Sequence, residues 1–147
     1  KKFVFVTKNK FLTNINQDNI EVVNGSWGSG AIDDRKLLEI YSKAKLVILP
    51  LINTFQPSGQ SVALQAMSVG IPVMISFTDG FWDINKYSNY ENIIFIKNNS
   101  TDTWINTIND VYKDPELIEI ISKNAKLLVN KHFSLKNFNS FLEEQIS

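Results

Sequence analysis

Short apolar runs alternate along the chain with longer segments in which apolar residues recur at helical spacing. Such alternation is typical of strand–helix units, which build a parallel sheet covered by helices. We therefore predict an α/β fold: a Rossmann-like parallel sheet with helices on both faces, followed by carboxy-terminal helices. The predicted strands are Lys2–Val6, Ile20–Val23, Leu46–Leu49, Pro72–Ile75 and Ile93–Ile96.

Two helices are predicted between these strands. Asp33-Asp34 offers an amino-terminal cap for the first. The second, Ser61–Val69, has small and apolar residues on most faces, so we expect it to be buried; Gly70 closes it and Pro72 stops it. The apolar residues that recur at helical spacing in the first helix are Leu37, Leu38, Tyr41 and Ala44.

After the fifth strand the sequence predicts only helices. Ser100 begins a capping sequence for a helix over Thr103–Tyr112. Asp114-Pro115-Glu116 then combines a cap, a proline at the first helical position and an acid in the first turn. Ser134 offers the cap of the last helix. Because no repeat or linker interrupts this order, we expect residues 1–147 to form a single domain.

The composition removes several classes of function. Fifteen Lys and Arg balance fifteen Asp and Glu in 147 residues, so no basic field favours binding to nucleic acid. There is no cysteine and only one histidine, which excludes a disulfide scaffold, a thiolate nucleophile and a multi-histidine metal site. No apolar run reaches the roughly 18 residues of a membrane span. We expect a domain that needs no metal or other cofactor.

Candidate chemistry lies where the third strand gives way to the second helix. In an open parallel sheet, ligands bind beyond the carboxyl ends of the strands, and a helix amino terminus offers free N–H groups and a positive dipole end to an anion. Gly59 permits close approach, while the side chains of Ser58, Gln60 and Ser61 carry hydrogen-bond donors. This predicts a phosphate seat, although a serine-rich helix cap without a ligand would have the same pattern.

The longer segment Gln65-Ala-Met-Ser-Val-Gly70-Ile-Pro-Val73 favours the phosphate seat over a helix cap without a ligand. It resembles the donor-binding segment of retaining glycosyltransferases of the GT-B fold, in the group-one, family-four class. The segment from Leu37 to Pro50 before it, and the order of elements as far as His132-Phe-Ser after it, are similar to the same family. The resemblance therefore covers nearly the whole chain.

The resemblance implies a Rossmann-like domain that binds a nucleotide-diphosphate sugar. The junction residues Ser58, Gly59, Gln60 and Ser61 would contact the sugar and phosphates, and Gln65 would hold the ribose. Asp79 and Gly80, just after a strand end, are further candidates for the ligand cleft. The family would transfer the sugar with retention to a glycan or lipid-linked acceptor, through positioning and charge stabilisation and without a metal.

Two departures from the family pattern concern the glutamates of the donor site. Gln65 stands where the family has the ribose-binding glutamate, and Pro57 stands where it has the glutamate near the transferred sugar. An amide still forms a hydrogen bond with a ribose hydroxyl, but without the charge that strengthens it. Asp79 or Asp83 is left as the acidic partner of the sugar, and the catalytic residues remain unknown.

The resemblance also implies that this chain is part of a longer enzyme. We expect it to lack the first strand of the donor domain, with the Arg and Lys that grip the diphosphate, and the amino-terminal acceptor domain. Lys8 and Lys10 are expected to face solvent. Alone, the fragment should bind its donor without turnover. The family association predicts polysaccharide assembly in the cytoplasm, with any attachment to the inner membrane through the missing domain.

Other readings compete with this one. A non-catalytic binding module with the same fold and a degenerate donor site would explain the missing glutamates. A flavodoxin-like signalling domain needs an exposed acid at a strand end, whereas Leu46–Leu49 is followed by Pro50.

The glycine-rich segment Gly25–Gly30 predicts a flexible loop in which Trp27 packs or stacks on a base. His132 is expected to cap or pack at a helix junction.

Overall fold

The computed structural model describes residues 1–7, 17–25 and 32–146, which form two compact units, Lys1–Ile40 and Tyr41–Ser147. In the first unit, β1 (Phe3–Thr7) and β2 (Ile20–Asn24) pair in parallel, with Phe3 opposite Ile20. The helix α1 (Asp34–Lys43) follows, and the boundary between the units falls within it. Asp33 accepts a hydrogen bond from the backbone N–H of Arg35, which confirms the predicted cap.

The second unit contains a parallel sheet in the order β3–β4–β5. Its strands are β3 (Val47–Leu49), β4 (Val73–Ser76) and β5 (Ile94–Ile96). Every residue of β4 and β5 is buried, as expected for parallel strands with both faces covered. A core cluster joins these two strands to the helices that follow, through Met74, Ile94, Ile96, Trp104, Val111 and Ile121.

Four helices accompany this sheet: α2 (Gln60–Ser68), α3 (Thr101–Lys113), α4 (Pro115–His132) and α5 (Leu135–Ile146). A short 3-10 helix, Ile84–Lys86, lies between β4 and β5. The predicted caps are present, since Ser100 accepts from the Thr103 N–H at 3.2 Å and Asp114 accepts from the Leu117 N–H at 2.9 Å. The Ser134 hydroxyl likewise accepts from the backbone of the last helix.

The α/β prediction of parallel strands with helices on both sides is confirmed. One feature differs, because the five strands divide into two sheets rather than one. The helix α2 is buried through Ala63, Ala66 and Met67, as its composition predicts. Gly70, which ends it, has a φ of +83°, a left-handed conformation that suits glycine. Within the described ranges, no helix combines the length and apolar character needed to cross a membrane.

Candidate functional site at the carboxyl ends of the strands

The loop after β3 leads into the amino terminus of α2. Gly59 has a φ of +72°, a left-handed conformation that favours glycine; a Cβ there would lie 2.9 Å from Cδ1 of Leu51, a side-chain end that would have to shift. No side chain caps α2, and the N–H of Ala63 makes the bond back to the Gly59 carbonyl. The N–H groups of residues 60–62 therefore point out of the helix end. Ser58 is half-buried beside it, and Ser61 is exposed.

A polar network fixes the start of this loop to the ends of the other two strands. The backbone N–H of Leu51 donates to Oγ of Ser76 at 2.8 Å, and that hydroxyl donates to Oδ1 of Asn99, also at 2.8 Å. The indole N–H of Trp104 donates to the same Oδ1, while Nδ2 of Asn99 donates to the Leu51 carbonyl at 2.6 Å. One amide thus joins all three strand ends.

The loops after β3 and β4 are fastened directly to each other. Oδ1 of Asn53 accepts from the Asp79 N–H at 3.0 Å, and Nδ2 of Asn53 donates to the Asp79 carboxylate at 2.9 Å. The Gly80 N–H donates to the Thr54 carbonyl at 2.8 Å. A Cβ on Gly80 would lie 2.6 Å from the backbone of Phe55. Asp79 and Gly80, predicted as ligand residues, therefore already serve to hold the loops, and the Gly80 amide is not free for a phosphate.

Gln60 also joins the two loops. Its Oε1 accepts from the backbone N–H of Trp82 at 3.1 Å, and its Nε2 donates to the Trp82 carbonyl at 3.2 Å. The side-chain amide that the sequence offered to a ligand is thus engaged at both ends, although the Gln60 backbone N–H remains at the helix terminus. The indole of Trp82 is 64% exposed.

Gln65 lies on the same face of α2 as Ser61, one turn further along, and both are exposed. The hydroxyl of Tyr41 donates to Oε1 of Gln65 at 3.4 Å. Burial raises the pKa of Tyr41 above its usual 10.0, so the phenol stays a hydrogen-bond donor further into the alkaline range than an exposed tyrosine would. The bond occupies one lone pair of Oε1, so the second lone pair and the Nε2 donors of this exposed side chain are not used by it.

Two further polar groups lie in the segment after β4. Thr78 is 2% exposed, and its hydroxyl has no hydrogen-bond partner among the residues that the structure describes. Asp83, the alternative acidic partner for the sugar, has its carboxylate 2.9 Å from Nζ of Lys86. Burial, with a smaller contribution from Asp83, raises the pKa of Tyr87 to about 12.

The remaining predicted residues fall elsewhere. Lys8, Lys10, Trp27 and most of the glycine-rich loop lie outside the described residues. His132 is exposed at the end of α4, with its ring 6.5 Å from that of Phe133. Lys45 and Pro72, which precede β3 and β4, contribute to a cavity of about 330 Å³ at the opposite edge of the sheet. Sequence reasoning missed Asn53, Ser76 and Asn99, whose signal is a polar residue at or just beyond a strand end.

Comparison with known proteins identifies the family of this chain. The sequence pattern that defines the family "Glycosyl transferases group 1" matches residues 16–128. The chain belongs to this family. A relative, the uncharacterized glycosyltransferase MJ1607 of Methanocaldococcus jannaschii, is 31% identical over 108 residues, which are 74% of this chain and 26% of that protein. This member of the group 1 glycosyltransferases therefore spans about a quarter of its curated relative.

Solved structures share the fold of this group 1 chain. The carboxy-terminal domain of the glycosyl transferase LpcC from Francisella tularensis has a TM-score of 0.63 at 17% identity, covering 80% of this chain and 55% of that one. Anabaena Alr3699/HepE in complex with UDP has a TM-score of 0.70 at 17% identity, covering 88% and 32%. The same protein in complex with UDP-glucose has a TM-score of 0.68. The predicted GT-B class is confirmed.

Proposed function

We propose that this chain is the donor-binding part of a retaining glycosyltransferase that takes a nucleotide-diphosphate sugar. The observation that carries the proposal is the uncapped amino terminus of α2, which opens between two loops held in place by Asn53, Gln60 and Asn99. Such a terminus suits a diphosphate because its N–H groups and dipole attract negative charge. The UDP and UDP-glucose complexes of HepE are consistent with this ligand class.

Each predicted residue receives a role in this proposal. The N–H groups of residues 60–62, with the hydroxyls of Ser58 and Ser61, bind the phosphates. Gln65 lies about 6 Å beyond Ser61 along the helix axis, given the rise of about 1.5 Å per residue, and binds the ribose through Nε2. During transfer of a hexosyl group, the bond from the anomeric carbon to the diphosphate oxygen breaks, the acceptor oxygen bonds to that carbon, and the acceptor's proton passes to the leaving diphosphate. The helix terminus stabilises the charge left on that diphosphate.

In this proposal, the acceptor site and the remaining contacts to the diphosphate belong to polypeptide outside this chain. The acceptor, a glycan or a lipid-linked saccharide, binds an amino-terminal domain, and a further strand carries more of the diphosphate grip. The isolated fragment is then inactive in transfer. The enzyme works in the cytoplasm, in polysaccharide assembly, with any contact to the inner membrane made by the other domain. The quarter of the curated relative that this chain spans is consistent with such a division.

The test is a calorimetric titration with UDP, GDP, ADP and their common sugars. One nucleotide should bind selectively, and Gln65→Ala should weaken it about tenfold, the equivalent of roughly 1.4 kcal/mol. Asn130→Ala, which removes an exposed amide near the end of α4, is the matched control and should bind like the wild type. Silence from every ligand would overturn donor binding by this chain.

A further inference from the structure

Trp82 combines an exposed side chain with a firmly held backbone. Its N–H and carbonyl both bind the side-chain amide of Gln60, at 3.1 and 3.2 Å. Its indole is nevertheless 64% exposed, whereas Trp104 is 8% exposed in the core. The two hydrogen bonds therefore do not serve to bury this ring. They hold the backbone position from which the exposed indole projects.

The residues on either side of Trp82 are anchored as well. Phe81 is 8% exposed, and its ring makes edge contacts with Tyr87 and Phe95 at centroid distances of 5.1 Å. Asp83 has a φ of +53° and begins the 3-10 helix, where its carboxylate pairs with Lys86. These contacts hold the backbone at Trp82 in place on both sides, which lowers the entropic cost of ordering this segment around a ligand.

The anchor places this ring beside the proposed phosphate seat. Gln60 is the first residue of α2, and its backbone N–H belongs to the helix end that would bind the diphosphate. In the proposed orientation the ribose lies along the helix at Gln65. The group on the other side of the diphosphate, the sugar, is then the one nearest to Trp82.

The chemistry of an indole suits that group. A pyranose ring presents a face of C–H groups, and burying this face against an aromatic ring removes apolar surface from water. We propose that Trp82 is the stacking wall for the sugar ring of the donor and that Gln60 is its positioning residue; this inference rests on the proposed function. Stacking on Trp82 would contribute to the binding of the sugar at a site where Pro57 replaces the sugar-contacting glutamate of the family pattern.

The test compares each nucleotide with its sugar conjugate: UDP with UDP-glucose, GDP with GDP-mannose and ADP with ADP-glucose. The pair that binds best is titrated into the wild type, Trp82→Ala, Trp82→Phe and Gln60→Ala. We expect Trp82→Ala to weaken the nucleotide sugar about tenfold and the free nucleotide less than twofold. Trp82→Phe should retain most of the difference, and Gln60→Ala should lose part of it. Phe138→Ala, an exposed aromatic on α5, is the matched control.

Fluorescence gives a readout that a purely structural role would not change. In a Trp27→Phe background, acrylamide should quench the exposed Trp82 far more readily than the buried Trp104. The nucleotide sugar, but not the free nucleotide, should protect the emission. Equal weakening of both ligands by Trp82→Ala would assign the ring to the nucleoside, and no weakening would remove it from the site; either overturns the inference alone. Failure of the wild type to bind any ligand overturns the proposed function together with it.

Discussion

The hydroxyl of Tyr41, near the end of α1, donates a hydrogen bond to Oε1 of Gln65 on α2. Tyr41 is 7% exposed, and burial raises the pKa of its hydroxyl, so the donor stays protonated further into the alkaline range than an exposed tyrosine. This bond uses one of the two lone pairs of Oε1, and Nε2 is a hydrogen-bond donor. A glutamine can therefore donate to a ligand hydroxyl, which the ionised glutamate of the family pattern cannot do.

Removing the tyrosine hydroxyl should release this amide. We expect Tyr41→Phe to lower the free energy of unfolding by about 0.5 to 1 kcal/mol and to weaken nucleotide binding about threefold, because Gln65 then samples both amide orientations. Calorimetry and urea unfolding measure the two effects. Tyr90→Phe, which removes a more exposed hydroxyl, should change neither. Unaltered nucleotide affinity in Tyr41→Phe would show that the tyrosine does not orient Gln65.

The network around Asn99 should matter far more for stability. Asn99→Ala leaves the Trp104 indole N–H, the Ser76 hydroxyl and the Leu51 carbonyl without their shared partner. We expect a loss of about 2 to 3 kcal/mol in urea unfolding, since unsatisfied polar groups cost more than the bonds themselves. The neighbouring Asn98→Ala removes one bond, to the exposed Ser100 N–H, and should cost less than about 1 kcal/mol. Similar losses in the two variants would argue against a shared network.

The features that could be predicted from the sequence are those that depend on residues close together along the chain. The strands could be predicted because apolar runs report burial locally, and the caps at Ser100 and Asp114 act over three residues. The pairing of Gln60 with Trp82 spans 22 residues, and that of Asn99 with Leu51 spans 48. No local pattern specifies such partners. Gln60 was consequently predicted to face a ligand, whereas its side chain holds a second loop.

The division of the strands into two sheets could also not be predicted from the hydrophobic pattern of the sequence. Each strand was predicted from its own apolar run, but an apolar run does not determine which other strand it pairs with. In the described part of the chain, β1 pairs with β2, and β3 pairs with β4. The hydrogen bonds of the site are similar in kind, since Asn53 and Asp79 meet only after two loops fold together.

Gly80 and Gly70 should respond differently to the same substitution. A Cβ at Gly80 would lie 2.6 Å from the backbone of Phe55, which cannot move aside as a side chain would. We expect Gly80→Ala to cost about 2 to 3 kcal/mol and to weaken nucleotide binding by separating the loops. At Gly70 the nearest atom is Cδ of Lys126 at 3.9 Å, so Gly70→Ala should cost only the roughly 1 kcal/mol of its left-handed backbone. Urea unfolding measures both, and equal costs would contradict the close approach of the loops.

The buried hydroxyl of Thr78 offers a stabilising substitution. Because this hydroxyl lacks a partner in the described part of the chain, Thr78→Val should keep the shape while removing an unsatisfied polar group. We expect a gain of about 0.5 to 1 kcal/mol in urea unfolding. Thr103→Val is the control, because the Thr103 hydroxyl contacts that of Ser100 at 2.8 Å, and this change should destabilise. A loss of stability in Thr78→Val would mean that the hydroxyl is satisfied.

Tyr87 should give the protein a distinct alkaline response. Its folded pKa of about 12 lies above the ordinary 10.0, so between these values the unfolded chain releases a proton that the folded chain keeps. Stability is therefore unaffected by this group below pH 10 and falls as pH rises from 10 to 12, with a slope approaching about 1.4 kcal/mol per pH unit.

Tyr87→Phe keeps the ring against Phe81 and Phe133 but removes the titrating group. Urea unfolding between pH 9 and pH 11.5 should show a shallower decline than in the wild type. Asp83→Asn removes the smaller cause of the shift, so the tyrosine absorbance at 295 nm should titrate at a slightly lower pH. Parallel stability curves for the wild type and Tyr87→Phe would show that Tyr87 ionises as readily in the folded protein as in the unfolded chain, and that its burial does not carry the cost assigned to it.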